Sequence, residues 1–436
     1  MHTLYLAEKS SQAMDIAKVI GIKGRGDGFI ELATGDTITW ARGHMLELAD
    51  PAAHNEAWGG RWAWSQLPMI PAQWKYVVNK STAGQYKIIS RLVKEAKRVI
   101  IATDAGREGE LIAREILEHC KFKGVIERFW TSSLVPADIK VALGKLKPGS
   151  ATYPLYEAAL ARQHCDNMYG LSGTRGATLA ANVRGDYFAM GRVQTPTLAM
   201  VVRRCLDVRN FDVQAYYELE AKVSTAEGKV FKMWHAPEEK DRITTMDEAV
   251  RRKAIAEGAK SRLKVERSSG REGAPLPYSL PVLQKDANRI LGLSVKKTLE
   301  IAQKLYEVKA TTYPRTDCQY LAASQMDEVN GVLDVVARRF GSGVAELKKY
   351  GIVKRTTTFD DSKLTDHHGI IPTAQFVELE GAELQLYTLI CQRYLQLLGP
   401  DCKFDSTRVT LDANGIPFKA NGKVITSPGW QALKLT

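Results

Sequence analysis

Two charged clusters stand directly after short apolar runs. Glu8-Lys9 follows Thr3–Ala7 (TLYLA), and Asp104-Ala105-Gly106-Arg107-Glu108-Gly109-Glu110 follows Arg98–Thr103 (RVIIAT). In an open α/β sheet, sites form beyond the carboxyl ends of strands, so Glu8, Asp104 and Glu108 are predicted to converge. Converging carboxylates repel one another unless a cation sits among them. Oxygen ligands of this kind suit Mg²⁺, which keeps several of its waters. The second cluster also reads as a plain helix start, with Asp104 as N-cap and Glu108 and Glu110 as favourable first-turn charges.

Three further constellations are weaker singly. Thr312-Tyr313-Pro314-Arg315-Thr316-Asp317 puts a phenol two residues before a guanidinium. A phenol with a pKa of about 10 is a poor nucleophile unless a cation stabilises its phenolate. Arg315 can do that and can also grip a phosphate, although a tyrosine before proline serves equally as a turn residue. Asp366-His367-His368-Gly369-Ile370-Ile371-Pro372-Thr373 holds adjacent histidines. Such neighbours rarely ligate one metal together, and a loop with one packed and one exposed histidine is the plainer reading. Ala189-Met190-Gly191-Arg192-Val193-Gln194-Thr195-Pro196-Thr197 brings a flexible glycine, a cation and an amide to a helix start. That combination suits a phosphate backbone.

The elements that must position these residues alternate in type. Thr3–Ala7 and Arg98–Thr103 read as buried strands, and Glu127–Thr131 (ERFWT) as a third. Helices are predicted over Ser10–Ile20, stopped by Gly21, and over Glu108–Cys120 with Leu111, Ile112, Ile116 and Leu117 on one face. This alternation argues for a parallel, doubly wound sheet. Tyr153–Leu179 and Gln194–Leu206 read as helical, and Tyr217–Val223 opens a strand-rich stretch. Gly270–Ser279 (GREGAPLPYS) is a joint. Leu280–Val308, much of 325–349 and Leu384–Gln396 return to helical spacing, and strand-like patterns resume at Cys402. The expected organisation is a β-rich region (213–275, then 402–436) interrupted by a helical insert.

Composition narrows the class of protein. The chain has 436 residues, 44% of them hydrophobic and 25% charged, which suits a folded protein of two to four domains. No stretch approaches the roughly 20 consecutive apolar residues that a membrane helix needs. Glu8 and Lys9 come too early for a signal-peptide core, so a cytoplasmic location is expected. Six cysteines are scattered without a CxxC pair, which suggests neither a zinc ribbon nor a disulfide framework. The net charge of +12 points to a polyanionic partner, usually nucleic acid.

LAEKSSQAMDIAKVIG, ATDAGREGELIARE, GRVQTPTLAMVVRR, APLPYSLPVLQKDA, TYPRTDCQYL and DHHGIIPT occur in this order at wide spacing. Together they resemble the type IA DNA topoisomerases, and within them the bacterial topoisomerase III branch, from Leu4 to about Trp430. The resemblance implies that Tyr313 attacks a single-strand phosphodiester and holds the 5′-phosphate, with Arg315 stabilising that site. It implies that Glu8 and Asp104 bind Mg²⁺ in a Toprim-type domain with Glu108 nearby, that Lys9 contacts the scissile phosphate, and that His367 assists. Ala189, Met190, Gly191, Arg192, Val193 and Gln194 would line the single-strand path. Trp62, Arg128 in ERFWTSS, and Asn167 and Arg175 in DNMYGLSGTR match positions that face DNA. The chain has no GxxxxGK[ST] loop, in keeping with a transesterification that stores bond energy in the phosphotyrosine and needs no ATP.

Two departures stand out. The family pattern is often Asp-x-Asp-x-Glu, and the middle acid here is Gly106, which puts a second metal ion in doubt. The chain also ends at Thr436, just past SPGW (427–430), where family members usually continue; a fragment and a naturally short form are both open. The expected fold is multidomain α/β: a Toprim-like domain (1–150), a helical strand-binding segment (151–212), a β-rich arch (213–278 and 401–436) and a helical domain carrying Tyr313 (279–400). These would form the toroidal architecture of type IA topoisomerases, its gate incomplete if the chain is cut short. The expected function is relaxation or decatenation of DNA through a transient single-strand break, by a monomer acting mainly on single-stranded regions. The rivals are a DNA-binding remnant without strand passage, and another Toprim enzyme such as a nuclease or primase, against which TYPRTD and GRVQTP argue.

Overall fold

The computed structural model describes residues 2–182, 185–236 and 242–435. The N-terminal part is built on a sheet of strands β1 (Thr3–Ala7), β2 (Ile22–Gly26), β3 (Phe29–Leu32) and β4 (Thr37–Trp40). A small ribbon, β5 (Leu46–Leu48) and β6 (Tyr76–Val78), stands apart. Strands β7 (Arg98–Ala102), β8 (Val125–Arg128) and β9 (Lys147–Pro148) complete the main sheet. Its order is β2-β3-β4-β1-β7-β8-β9, with β4, β1, β7 and β8 parallel and antiparallel strands at both edges. Strands β2, β3, β4 and β9 of this sheet were not anticipated from the sequence. They are two to five residues long, too short to carry a periodic signal.

The alternation of side chains along β7 explains the layers. Val99 and Ile101 face a core shared with helices α3 (Ala83–Glu95) and α4 (Arg107–His119). Ile100 and Ala102 face the opposite core, shared with α1 (Ser10–Ile20) and α5 (Pro136–Leu143). A short helix, α2 (Pro51–His54), lies on the excursion between β5 and β6. The doubly wound sheet is therefore present, with helices on both faces.

Helix α6 (Tyr153–Ala181) packs on α4 and leads to α7 (Gln194–Arg209), which buries none of its residues. A second sheet follows, with β10 (Glu220–Ser224), β11 (Val230–His235) and β12 (Lys264–Glu272), helix α8 (Met246–Ala256) lying between the last two in sequence. Strands β13 (Cys402–Ala413) and β14 (Ile416–Ser427) join it in the order β10-β11-β14-β13-β12. Lys264–Glu272 pairs with Cys402–Thr410, so strands from either side of the helical region share one sheet. The β13–β14 hairpin turns on Asn414-Gly415, both at positive φ (55° and 88°), the pairing that a tight two-residue turn favours.

The intervening helices α9 (Leu280–Leu291), α10 (Val295–Glu307), α11 (Gln325–Tyr350) and α12 (Gly381–Leu398) enclose their own core, including Leu283, Ile301, Leu305, Val336, Leu386 and Leu395. The helix expected over Leu280–Val308 is in fact two. Gly292 takes the left-handed conformation (φ 68°) that ends α9, and the Ser294 hydroxyl accepts the Lys297 N–H to start α10. No helix of the described residues is long and apolar enough to cross a membrane.

Candidate active site

The strand order brings the two charged clusters together. Strands β1 and β7 are parallel neighbours with Ala7 opposite Ala102, so Glu8 and the Asp104 turn leave the same edge side by side. The Asp104 N–H donates to Glu8 Oε2 (3.2 Å). Lys9 Nζ donates to Asp104 Oδ2 (2.8 Å) and lies 3.6 Å from Glu8 Oε1. Gln12, one turn into α1, accepts the Glu8 N–H through Oε1 (2.9 Å) and donates through Nε2 to Asp104 Oδ1 (3.1 Å). Asp104 is thus not the cap of α4. Gly106 holds that position, and the Asp104 carboxylate is spent on the site.

The charges are set by proximity. Burial raises the Glu8 carboxyl, and repulsion from Asp104 raises it further. Burial also pushes Asp104 upward, but His367 and Lys9 outweigh it and hold this carboxyl well below the usual range. For Lys9, burial disfavours the ammonium, yet Asp104 and Glu8 prevail and keep it charged. The result is one firmly ionised carboxylate, one more readily protonated neighbour, and a cation between them.

Tyr313 reaches this cluster from the helical domain. Its segment is pinned where Thr312 N–H donates to Ile371 O (3.0 Å) and Ile371 N–H donates to Thr312 Oγ1 (3.0 Å), so TYPRTD and DHHGIIPT are neighbours in space. The Tyr313 ring lies with its centroid 3.9 Å from Lys9 Nζ and 4.5 Å from the His367 ring. His367 Nε2 is 3.3 Å from Asp104 Oδ2. Tyr306 meets Tyr313 edge-on at 5.2 Å, and its hydroxyl is 3.3 Å from Ser11 Oγ across the domain junction. Burial raises the Tyr313 phenol, with Lys9 opposing. A cleft of about 580 Å³ between the two domains is lined by Lys9, Asp104, Tyr306, Tyr313 and His367. His368, half-buried, instead engages Gly369 and Gln325, with Nδ1 2.9 Å from Gly369 O and Nε2 3.3 Å from Gln325 Nε2.

Several expected site residues lie elsewhere. Glu108 does not join Glu8 and Asp104: it sits on the outer face of α4, 3.3 Å from His44 Nε2 and 3.7 Å from Arg162 Nη1. Arg128 does not face outward. It is wholly buried, donates to Glu110 Oε1 (2.6 Å), and donates to the carbonyls of Ile101, Thr103, Phe129 and Asp104. Its guanidinium therefore ties down the strand end that carries Asp104. Arg175 is also buried, donating to Gln66 Oε1 (2.8 Å) and Trp58 O (2.9 Å), and it lies under the half-buried Trp62 ring at 5.2 Å. Asn167 lines a separate cleft with His44, Glu108 and Arg162. Ala189–Gln194 runs largely exposed into α7, with Arg192 paired to Asp166 and Met190 N–H donating to Thr174 Oγ1 (2.9 Å). Arg315 is exposed beside Gly106 and forms no ion pair among the described residues.

Among the described residues, no three His, Cys, Asp or Glu side chains gather at metal-ligand spacing. Mg²⁺ needs fewer. It is held by one or two carboxylates while waters and substrate phosphates complete its shell. Glu8 and Asp104 are two such oxygen donors, Asp104 on the open cleft; Lys9 now lies between them, so the pair fits an ion that shares or displaces the Lys9 contact.

The chain matches the family model described as DNA topoisomerase over residues 150–435, and the Toprim domain model over residues 3–134. The chain belongs to the DNA topoisomerase family. It is 36% identical over 441 residues to DNA topoisomerase 3 of Bacillus subtilis (strain 168), covering 99% of this chain and 59% of that protein. It is 37% identical over 440 residues to DNA topoisomerase 3 of Shouchella clausii (strain KSM-K16), covering 98% and 59%. The chain thus spans about three-fifths of the length of these relatives. Full-length topoisomerase I from Thermotoga maritima, at 20% identity, superposes with a TM-score of 0.64 over 99% of this chain and 67% of that one, a likeness of fold. The type IA resemblance, and the topoisomerase III branch within it, stand on these matches.

Sequence reasoning did not single out three residues that border this cleft. Gln12 lies inside the EKSSQ run, and a polar residue on the buried face of α1 was the available signal. Tyr306 is the penultimate residue of α10 with ordinary helical spacing, so nothing in the sequence marked it. Asp366 was passed over in favour of its histidine neighbours.

Proposed function

We propose that this chain cuts and rejoins a single DNA strand through Tyr313, as the core of a type IA topoisomerase. The observation that carries the reading is the seating of Tyr313 between Lys9 and His367, both of which reach the same Asp104 carboxylate. Tyr313 Oη attacks phosphorus; the Oη–P bond forms, the P–O3′ bond breaks, and the phenolic proton is lost as O3′ regains one. The 5′-phosphate remains on Tyr313, and the reverse attack by the 3′-hydroxyl reseals the strand without ATP. Lys9 and Arg315 supply positive charge where the phosphorane gathers negative charge, and His367 holds the phenol edge. Mg²⁺, held by Glu8 and Asp104, would neutralise phosphate charge and help align the ends.

Single-stranded DNA is the proposed partner, running past Trp62 and Ala189–Gln194, with the chain acting as a monomer. Relaxation or decatenation by strand passage, and closure of the domains into a ring, belong to the same reading. The test is denaturing electrophoresis after mixing the protein with end-labelled single-stranded DNA. A covalent adduct is expected, lost in Tyr313→Phe while binding survives. Binding without adduct in the unaltered chain would instead favour a DNA-binding remnant.

A further inference from the structure

The absence of an acid at position 106 has a structural counterpart. Gly106 is extended (φ −163°), a conformation open to any residue, so the backbone does not demand glycine. A side chain there would instead have to displace Asp366. A Cβ at Gly106 would lie 2.3 Å from Cγ and Oδ2 and 2.4 Å from Oδ1 of Asp366. The Asp366 carboxylate therefore rests on the Gly106 Cα, in the volume a side chain there would fill. It comes from the loop that carries His367, on the domain that carries Tyr313.

That carboxylate is also uncommitted. Asp366 makes no hydrogen bond or ion pair with the described residues, although its neighbour Thr365 bonds Asp317 and its neighbour His367 reaches Asp104. Open space borders it on both sides: the cleft holding Lys9 and Tyr313, and a second of about 420 Å³ lined by Gly106, Arg107, Arg315 and Asp317. A carboxylate without a protein partner, next to Asp104 and open to water, is placed to accept hydrogen bonds from water on a neighbouring cation.

We propose that Asp366 supplies, from the tyrosine-bearing domain, the carboxylate that this chain lacks at position 106, and orients the waters of the Mg²⁺ held by Glu8 and Asp104. It is a positioning residue. Because it rides on the same loop as His367, separation of the two domains withdraws it together with Tyr313. Hold on the ion is thereby tied to the closed arrangement. Glycine at 106 is what makes room for this delivery.

The inference rests on the metal role proposed above, and its test is independent of DNA chemistry. The midpoint of thermal unfolding is followed against Mg²⁺ concentration, without DNA, for the unaltered chain, Asp366→Ala, Asp366→Asn and the double variant Gly106→Asp/Asp366→Ala. Both single variants should need about tenfold more Mg²⁺ for the half-maximal shift. The double variant, with its carboxylate returned to the strand-end turn, should recover the unaltered response. A single variant that responds as the unaltered chain does, a double variant as weak as the single, or no Mg²⁺ response in the unaltered chain would each overturn the proposal. Adduct formation through Tyr313, measured separately, reports on the cleavage reading: adduct present with no rescue sinks the role of Asp366 alone.

Discussion

Lys9 Nζ sits 3.9 Å from the centroid of the Tyr313 ring while donating to Asp104 at 2.8 Å. The ammonium thus faces the π-surface of the Tyr313 ring, and its hydrogen bond goes to Asp104. In this arrangement burial keeps the phenol above its ordinary pKa despite the nearby cation.

Lys9→Ala should slow adduct formation by about 10²–10³-fold, the scale for losing one preorganised donor to developing negative charge. Single-turnover cleavage of a labelled oligonucleotide measures this. Adduct formation at the unaltered rate would assign Lys9 to holding Asp104 and nothing more.

Trp62 has Arg175 against its ring at 5.2 Å, so a base can use only the remaining face. Trp62→Ala is expected to weaken single-strand binding by about 1–3 kcal/mol, the range for base–aromatic stacking. Fluorescence anisotropy at two salt concentrations distinguishes stacking from charge, and unchanged affinity at both would leave Trp62 as packing for Arg175.

Arg128 and Arg114 share the fully buried Glu110, at 2.6 and 2.7 Å. Arg128→Leu removes one partner and frees four backbone carbonyls, so a loss of about 3–5 kcal/mol of stability is expected. Chemical denaturation provides the value. Single-strand affinity, measured where the variant is still folded, should not change; a fall in affinity without a fall in stability would return Arg128 to the DNA surface.

His44 is pushed up to about 9, chiefly by its hydrogen bond to Glu108 and then by Glu115. Its folded pKa exceeds the unfolded value of about 6.5. The stabilisation it brings is therefore complete below that value and lost as pH rises through about 9. The pair is substantially exposed, so the effect is modest. The difference in unfolding temperature between the unaltered chain and His44→Gln should be largest near pH 6 and vanish by about pH 10. A difference that does not vary with pH would mean that His44 is neutral in the folded protein.

The sequence by itself determined the parts that depend on local pattern. The apolar runs TLYLA and RVIIAT, each followed by acids, were legible as buried strands ending in a site, because β-branched runs and turn chemistry are local properties. Tyr313, Lys9, Asp104 and His367 were legible through motifs that keep their order along the chain. The tertiary structure alone decided which of these meet. Strand order put Glu8 beside Asp104, while helical rotation carried Glu108 to the outer face of α4, toward His44 and Arg162. Burial turned Arg128 and Arg175 from apparent DNA contacts into supports, since an arginine reads the same in sequence whether it meets phosphate or carbonyl oxygen. The relation of Gly106 to Asp366 spans 260 residues and leaves no local trace. It exists only because two domains bring an empty Cα and an unpaired carboxylate to the same place.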